Sequence, residues 1–292
     1  MHKFLFHVLI TIFVCNSIYG QLPASNNTIF WQISGKHIKT SYLFGTMHLM
    51  KSEDYLFPEN FQSIIRSSDQ VVLEISELPS QENMLKLIQL DSETFFDYFN
   101  AEQHDSIIEW AADIFSLNQS NTRMLLEHMR PISIAQIALN QAIGSSTKSY
   151  EYDIINLAKA NKSKLIGLET IDYQLNLLSQ LDRHFQQELI MQYVRNRELL
   201  VYEFDELTRT YKTQDLDSLS NVLNQQVNAS IFQTLLDNRN QTWLRELPQI
   251  LSSRKSTFIA VGAGHLDGEN GIISGLIKQG YTLTPLYIQT SN

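Results

Sequence analysis

Two histidines stand at matching positions in segments at opposite ends of the chain, Leu43-Phe-Gly-Thr-Met-His-Leu49 and Ala260-Val-Gly-Ala-Gly-His-Leu266. Each segment is a β-rich apolar run that closes on Gly-x-x-His-Leu. With 11 glycines and 8 histidines among 292 residues, that spacing is expected about 0.3 times by chance, so two occurrences in one context are a signal. Gly45 and Gly262 permit a tight bend at a strand end. His48 and His265 then project into the crevice at the carboxyl edge of a sheet, where α/β proteins bind ligands. Two further β-runs close on a carboxylate, Val71-Val-Leu-Glu74 and Leu165-Ile-Gly-Leu-Glu169. His48, His265 and Glu74 with an open position make a hydrolytic site for a divalent ion (manganese, cobalt or zinc). Glu169 then serves as a further ligand or as general base toward bound water. The same side chains also suit a metal-free hydrolase in which a histidine and a glutamate activate water directly.

Other chemistries fit less well. The run Gly262-Ala-Gly264-His-Leu-Asp-Gly268 has its third glycine one position late for a dinucleotide loop. Asp267 and Glu269 would repel phosphates, and only 24 residues follow Gly268. The chain has neither a Gly-x-Ser-x-Gly elbow nor an HExxH helix.

The elements that position these groups follow from periodicity. Residues 28–34 and 40–44 read as a β-hairpin around a Gly-Lys-His turn, and 70–75 as a buried strand. Pro58 opens a helix over 58–68. Helical spacing then dominates 81–141 and 170–251, and also marks 152–160. Strands are expected at 164–168, 256–261 and 281–288, with a helix near 272–278. Strands alternating with helices predict an α/β fold: a central mixed sheet with flanking helices and a large helical insertion at roughly 81–141 and 170–251. Residues 21–292 are read as one domain, since a chain with 43% hydrophobic residues can bury a sizeable core.

Residues 1–20 have the plan of a secretory signal peptide: Lys3, an apolar run from Phe4 to Val14, then small and polar residues around Ser17 and Gly20. The apolar run is too short to span a bilayer. The single cysteine, Cys15, falls inside it, so the mature chain has no disulfide and rests on its core. Losing Lys3 moves the net charge from −9 to −10, which makes nucleic acid or an anionic membrane an unsuitable partner. A peptide or small molecule is the expected partner, with no stable membrane insertion after cleavage, in a secreted or periplasmic setting. Sequons at Asn26, Asn118, Asn161, Asn228 and Asn240 carry no functional weight in an asparagine-rich chain.

The chain resembles the TraB/GumN family, whose animal relatives include the Tiki metalloproteases. The resemblance covers most of the mature chain. It rests on Leu43–Leu49, Val71–Ile75, Tyr152-Asp153 with Gly167-Leu-Glu-Thr170 and Gln174, Arg239-Asn240 with Trp243, and Val261–Gly268 followed by Gly271 and Gly280-Tyr281. It implies an erythromycin-esterase-like fold and a divalent-metal-dependent peptidase site, carried over to His48, His265 and Glu74. Gly45, Thr46, Gly262 and Gly264 belong to the paired motifs, and Glu169, Asp153, Arg239 and Asn240 to the family pattern. The animal proteins carry a membrane anchor near the C-terminus that has no counterpart here, so their substrate does not carry over. The resemblance also admits a ligand-binding or regulatory protein without turnover, of pheromone- or haem-binding type.

The expected mature N-terminus lies between Ser17 and Pro23. N-terminal sequencing of exported protein checks this; Met1 on membrane-bound material would show an anchor instead.

Overall fold

The computed structural model describes residues 27–90, 92–226, 231 and 233–289. The expected signal segment, Cys15 and the expected cleavage region lie outside them, as do Asn26 and Asn228. The chain forms two compact units. One is helical, 79–147 and 171–206; the other, drawn from 27–78, 148–170 and 207–289, carries the sheet. The second helical stretch therefore divides between the units at Glu206–Leu207.

The strands in chain order are β1 (Phe30–Ser34), β2 (Ser41–Thr46), β3 (Met50–Lys51), β4 (Gln70–Leu73), β5 (Thr147–Lys148), β6 (Lys164–Gly167), β7 (Thr257–Gly262) and β8 (Thr282–Leu286). Six of them make one mixed sheet in the order β6-β4-β7-β2-β1-β8. β6, β4, β7 and β2 run parallel, while β1 pairs antiparallel with both β2 and β8. The two strands that lead into the histidines are thus direct neighbours, with Gly45 opposite Val261 and Thr46 opposite Gly262. The ladder between β4 and β6 continues two residues past the strands. Leu168 N–H donates to Leu73 O and Glu169 N–H to Glu74 O, both at 2.9 Å, which brings the two glutamates side by side at the same edge.

Central strands β4 and β7 are buried at every position, as expected of parallel strands covered on both faces. Phe30, Phe44, Phe61 and Phe258 form an aromatic cluster in which Phe61 touches all three others at centroid distances of 4.7–5.7 Å. Phe61 comes from the helix Glu59–Arg66, whose N-cap is Pro58. A second helix, Tyr150–Asn161, starts two residues earlier than its periodicity predicts. Ser149 caps it by accepting from Tyr152 N–H, and this places Glu151 in the first helical turn.

In the helical unit, helices Gln81–Ile88, Ala101–Phe115, Gln119–Leu126, Pro131–Ile143 and Arg183–Arg195 enclose a core that includes Phe95, Trp110, Ile134 and Leu189. Ser80, Asn100, Asn118 and Asp182 each cap a helix by accepting a backbone N–H. No helix among the described residues is long and apolar enough to cross a membrane.

Phe44 is fully buried in the aromatic cluster. Phe44→Ala should cost about 3–5 kcal/mol through lost burial and the cavity left behind. Urea denaturation, with an unchanged slope and a lower midpoint, is the check.

Candidate active site

The four parallel strands deliver their chemistry to one edge. His48 lies two residues beyond β2, His265 closes the short 3-10 turn Ala263–His265 that follows β7, and Glu74 directly follows β4. A methyl group placed on Gly262 would lie 3.3 Å from Glu74 Oε1, 3.6 Å from His48 Nε2 and 3.6 Å from His265 Cδ2. The structure therefore gathers the three side chains around one point.

The glycines serve close approach rather than the tight bend expected from sequence, and neither Gly45 nor Gly262 has a positive φ. Gly45 stays within β2, where a Cβ would sit 2.9 Å from Ala263 Cα. Its missing side chain is what lets the His265 turn pack against the β2 strand. Gly264 lies in that turn against Leu223 and Leu236.

Arg239 organises the carboxylates. It is carried by the helix Asn238–Leu251, which buries Arg239, Asn240 and Trp243 on one face, as i, i+1, i+4 spacing allows. A single π-helical turn, Gln233–Asp237, leads into that helix, and Arg239 Nη1 donates to Leu235 O at 3.0 Å. The guanidinium holds Glu169 in a bidentate pair at 2.9 and 2.8 Å and reaches Glu74 Oε2 at 2.5 Å. Gly262 N–H (2.8 Å) satisfies Glu74 Oε1, and Trp243 Nε1–H (3.0 Å) donates to Glu169. Burial pushes the Glu74 carboxyl up, but the charge of Arg239 foremost, with the neighbouring histidines and the Gly262 N–H bond, overrides it and holds the group well below the usual carboxylate range.

The two histidines have opposite states. Arg239 Nη1, which can only donate, donates an N–H hydrogen bond to His265 Nε2 at 3.1 Å. Nδ1 must then carry the ring hydrogen, and it donates to Asn240 Oδ1 at 2.7 Å. Asn240 is fixed in that sense because its amide nitrogen donates to the carbonyls of His265 and Asn270. Burial first, and the Arg239 charge second, push the His265 pKa down to about 3, so the ring is neutral. His48 instead donates Nδ1–H to Glu151 Oε1 at 2.8 Å. Burial lowers its pKa, yet Glu151, by charge and hydrogen bond, and then Glu74 raise it to about 9.

Glu151 is a site residue that sequence reasoning missed. Thr46 Oγ1–H (2.5 Å) and Ser149 Oγ–H (2.9 Å) complete its hydrogen bonding. Burial raises its carboxyl, but His48, by charge and hydrogen bond, and then Thr46 bring it down to about 2. Adjacency to Tyr152-Asp153 was the only available signal, since nothing local marks a carboxylate whose partner is 103 residues away. Asp153 points elsewhere and lines a separate cleft with Tyr55, Gln62 and Lys148.

The model for the TraB/PrgY/gumN family matches residues 29–285. The chain belongs to this family. No curated protein and no solved structure matches it. The match spans both ends of the sheet and every side chain of this TraB/PrgY/gumN site.

The donor types, two imidazoles and two carboxylates, are those of a divalent-metal site, but their arrangement does not fit one. Arg239 occupies His265 Nε2 and Glu74 Oε2, and both Glu169 oxygens are bound to the same guanidinium. Among the described residues no group of three or more His, Cys, Asp or Glu side chains is set to hold a metal ion.

Arg239→Met should destabilise the protein by about 3–5 kcal/mol at pH 7, because it strands two buried carboxylates. The sign with pH follows. In the wild type, Glu74 is depressed, so its contribution is present above its unfolded pKa and is lost as pH falls through its folded value. In the variant the unpaired carboxylates bind protons more readily folded than unfolded. The stability gap should therefore narrow as pH falls from 7 toward 4.5, which urea titrations across that range measure.

Proposed function

We propose that this protein is a hydrolase of ester or amide bonds in which His48, oriented by Glu151, is the acid–base group. The carrying observation is the hydrogen-bonded pair His48 Nδ1–Glu151 Oε1 at 2.8 Å, with His48 Nε2 turned to the Gly262 surface that Glu74 Oε1 also faces. A carboxylate behind an imidazole fixes its tautomer and leaves the far nitrogen for proton transfer. In its neutral form His48 takes a proton from water at Nε2, and the Glu151 carboxylate stabilises the imidazolium that results. That imidazolium returns the proton to the leaving group.

Glu74 has a separate role. A carboxylate held far below its usual range is a weak base. Its Oε1, already accepting from Gly262 N–H, accepts a further hydrogen bond from the attacking water and orients it toward the substrate. His265, neutral and locked between Arg239 and Asn240, flanks the same point at Gly262. The carboxyl-edge location is where an α/β sheet presents a ligand site.

A divalent-metal version, expected from the sequence and the family, needs Arg239 Nη1 to leave His265 Nε2. The convergence of both imidazoles on Gly262 favours it as the second reading, and no step above depends on it. Export remains part of the proposal and rests on the signal-peptide plan of residues 1–20.

With aryl esters and a peptide library as substrates, Glu151→Gln and His48→Asn should each lower kcat/KM by about 10²–10⁴-fold with a native circular dichroism spectrum. Glu74→Gln should fall below about a tenth of wild type. Since the base form of His48 is the reactive one and its pKa is about 9, kcat/KM should climb from pH 7 to 9 and then level. Activity that survives exhaustive chelation supports this reading. Activity lost on chelation and restored by manganese, cobalt or zinc selects the metal version, and no turnover on any substrate leaves the binding-protein reading.

A further inference from the structure

We propose that the hydroxyls of Tyr211 and Tyr150 form a positioning clamp that sets His48 against Glu151; its catalytic consequence rests on the hydrolase reading. Both rings are buried, at 1% and 0% exposure. Tyr211 lies near the end of the helix Leu199–Lys212, and its hydroxyl donates to Gly45 O at 2.7 Å. Gly45 is three residues before His48, and its N–H donates to Ile29 O at 2.7 Å. The peptide that launches the His48 loop is therefore gripped at its N–H and at its carbonyl.

The other jaw holds the partner. Tyr150 immediately precedes Glu151, and its ring packs beside that of Tyr211 with centroids 5.9 Å apart. Tyr150 Oη donates to Leu56 O at 3.0 Å and accepts from Leu56 N–H at 3.3 Å. The two hydroxyls and the packed rings between them thus tie the strand leading to His48, the segment at Leu56 and the first turn of the helix that presents Glu151. His48 and Glu151 have no nearer covalent connection than the chain between them, so their 2.8 Å contact depends on such ties. Burial pushes both phenols above their ordinary range. They stay protonated donors across the range in which a histidine titrates, so the clamp does not loosen as the site changes charge.

The test compares Tyr211→Phe and Tyr150→Phe with Tyr193→Phe, which removes another buried hydroxyl, one bonded to Glu203 in the helical unit. Kinetics on an aryl ester are paired with an NMR titration of the His48 ring. The clamp predicts that both clamp variants lose about tenfold in kcat with KM nearly unchanged, as a displaced acid–base group would. It also predicts that His48 titrates at least about one pH unit lower, toward the free imidazole value. Tyr193→Phe should lower the melting temperature yet leave both readouts at wild-type values. Folded clamp variants whose His48 titration and kcat match wild type overturn the proposal. If Tyr211→Phe does not fold, Tyr150→Phe decides by the same criteria. If neither folds, the hydroxyls serve stability and the proposal falls. A wild type without turnover defeats the hydrolase reading alone, because the ring titration still decides the clamp.

Discussion

A buried guanidinium is the constraint on which this site depends. Arg239 is 3% exposed and is bonded to Glu74, Glu169 and His265 at once. Two carboxylates placed side by side at a sheet edge would repel, and burial would push both toward the neutral form. One planar cation with five donors satisfies both as anions and still has an N–H for an imidazole, which a lysine ammonium lacks the geometry to do. The π-helical turn ahead of the helix is part of the same arrangement, since Leu235 O accepts from the guanidinium and holds it against the sheet edge.

The same arginine makes the two Gly-x-x-His motifs unequal. Their sequences match and their strands are paired neighbours, yet one histidine is neutral and the other carries a proton up to about pH 9. His265 faces a donor that forbids protonation of Nε2, and Trp243 packs against it at a tilt, with centroids 4.3 Å apart. His48 faces a carboxylate. Motif symmetry in the sequence therefore does not imply symmetry of role; the third group each ring meets decides it.

Much of the sheet was legible because strand signals are local. The 28–34 and 40–44 runs give an antiparallel hairpin, the 70–75 and 164–168 runs pair in parallel, and the glycine–histidine repeats land on adjacent strands. The convergence of His48, His265 and Glu74 follows from parallel strands ending at one edge, a topological consequence that the strand–helix alternation already implied. Arg239 and Asn240 were visible as a pattern without roles. What they do depends on which side chains the sheet presents to their helix, and a helical face carries no record of that.

Glu151 shows where such reading stops. Residues 152–160 have helical periodicity, but the helix begins at Tyr150, and those two extra residues decide whether a carboxylate sits in the first turn or on a loop. Helix starts are set by capping, here by Ser149, and Ser149 also donates its hydroxyl to the Glu151 carboxylate. One serine thus fixes both the backbone and the charge partner of His48. The helix N-terminus adds its own preference for an anion, so the carboxylate is held ionised by the cap, by the helix end and by the imidazole together. A hydrogen-bonded dyad of this kind is specified by the end of one helix and the end of one strand, and neither end is marked by the periodicity that reveals the elements themselves.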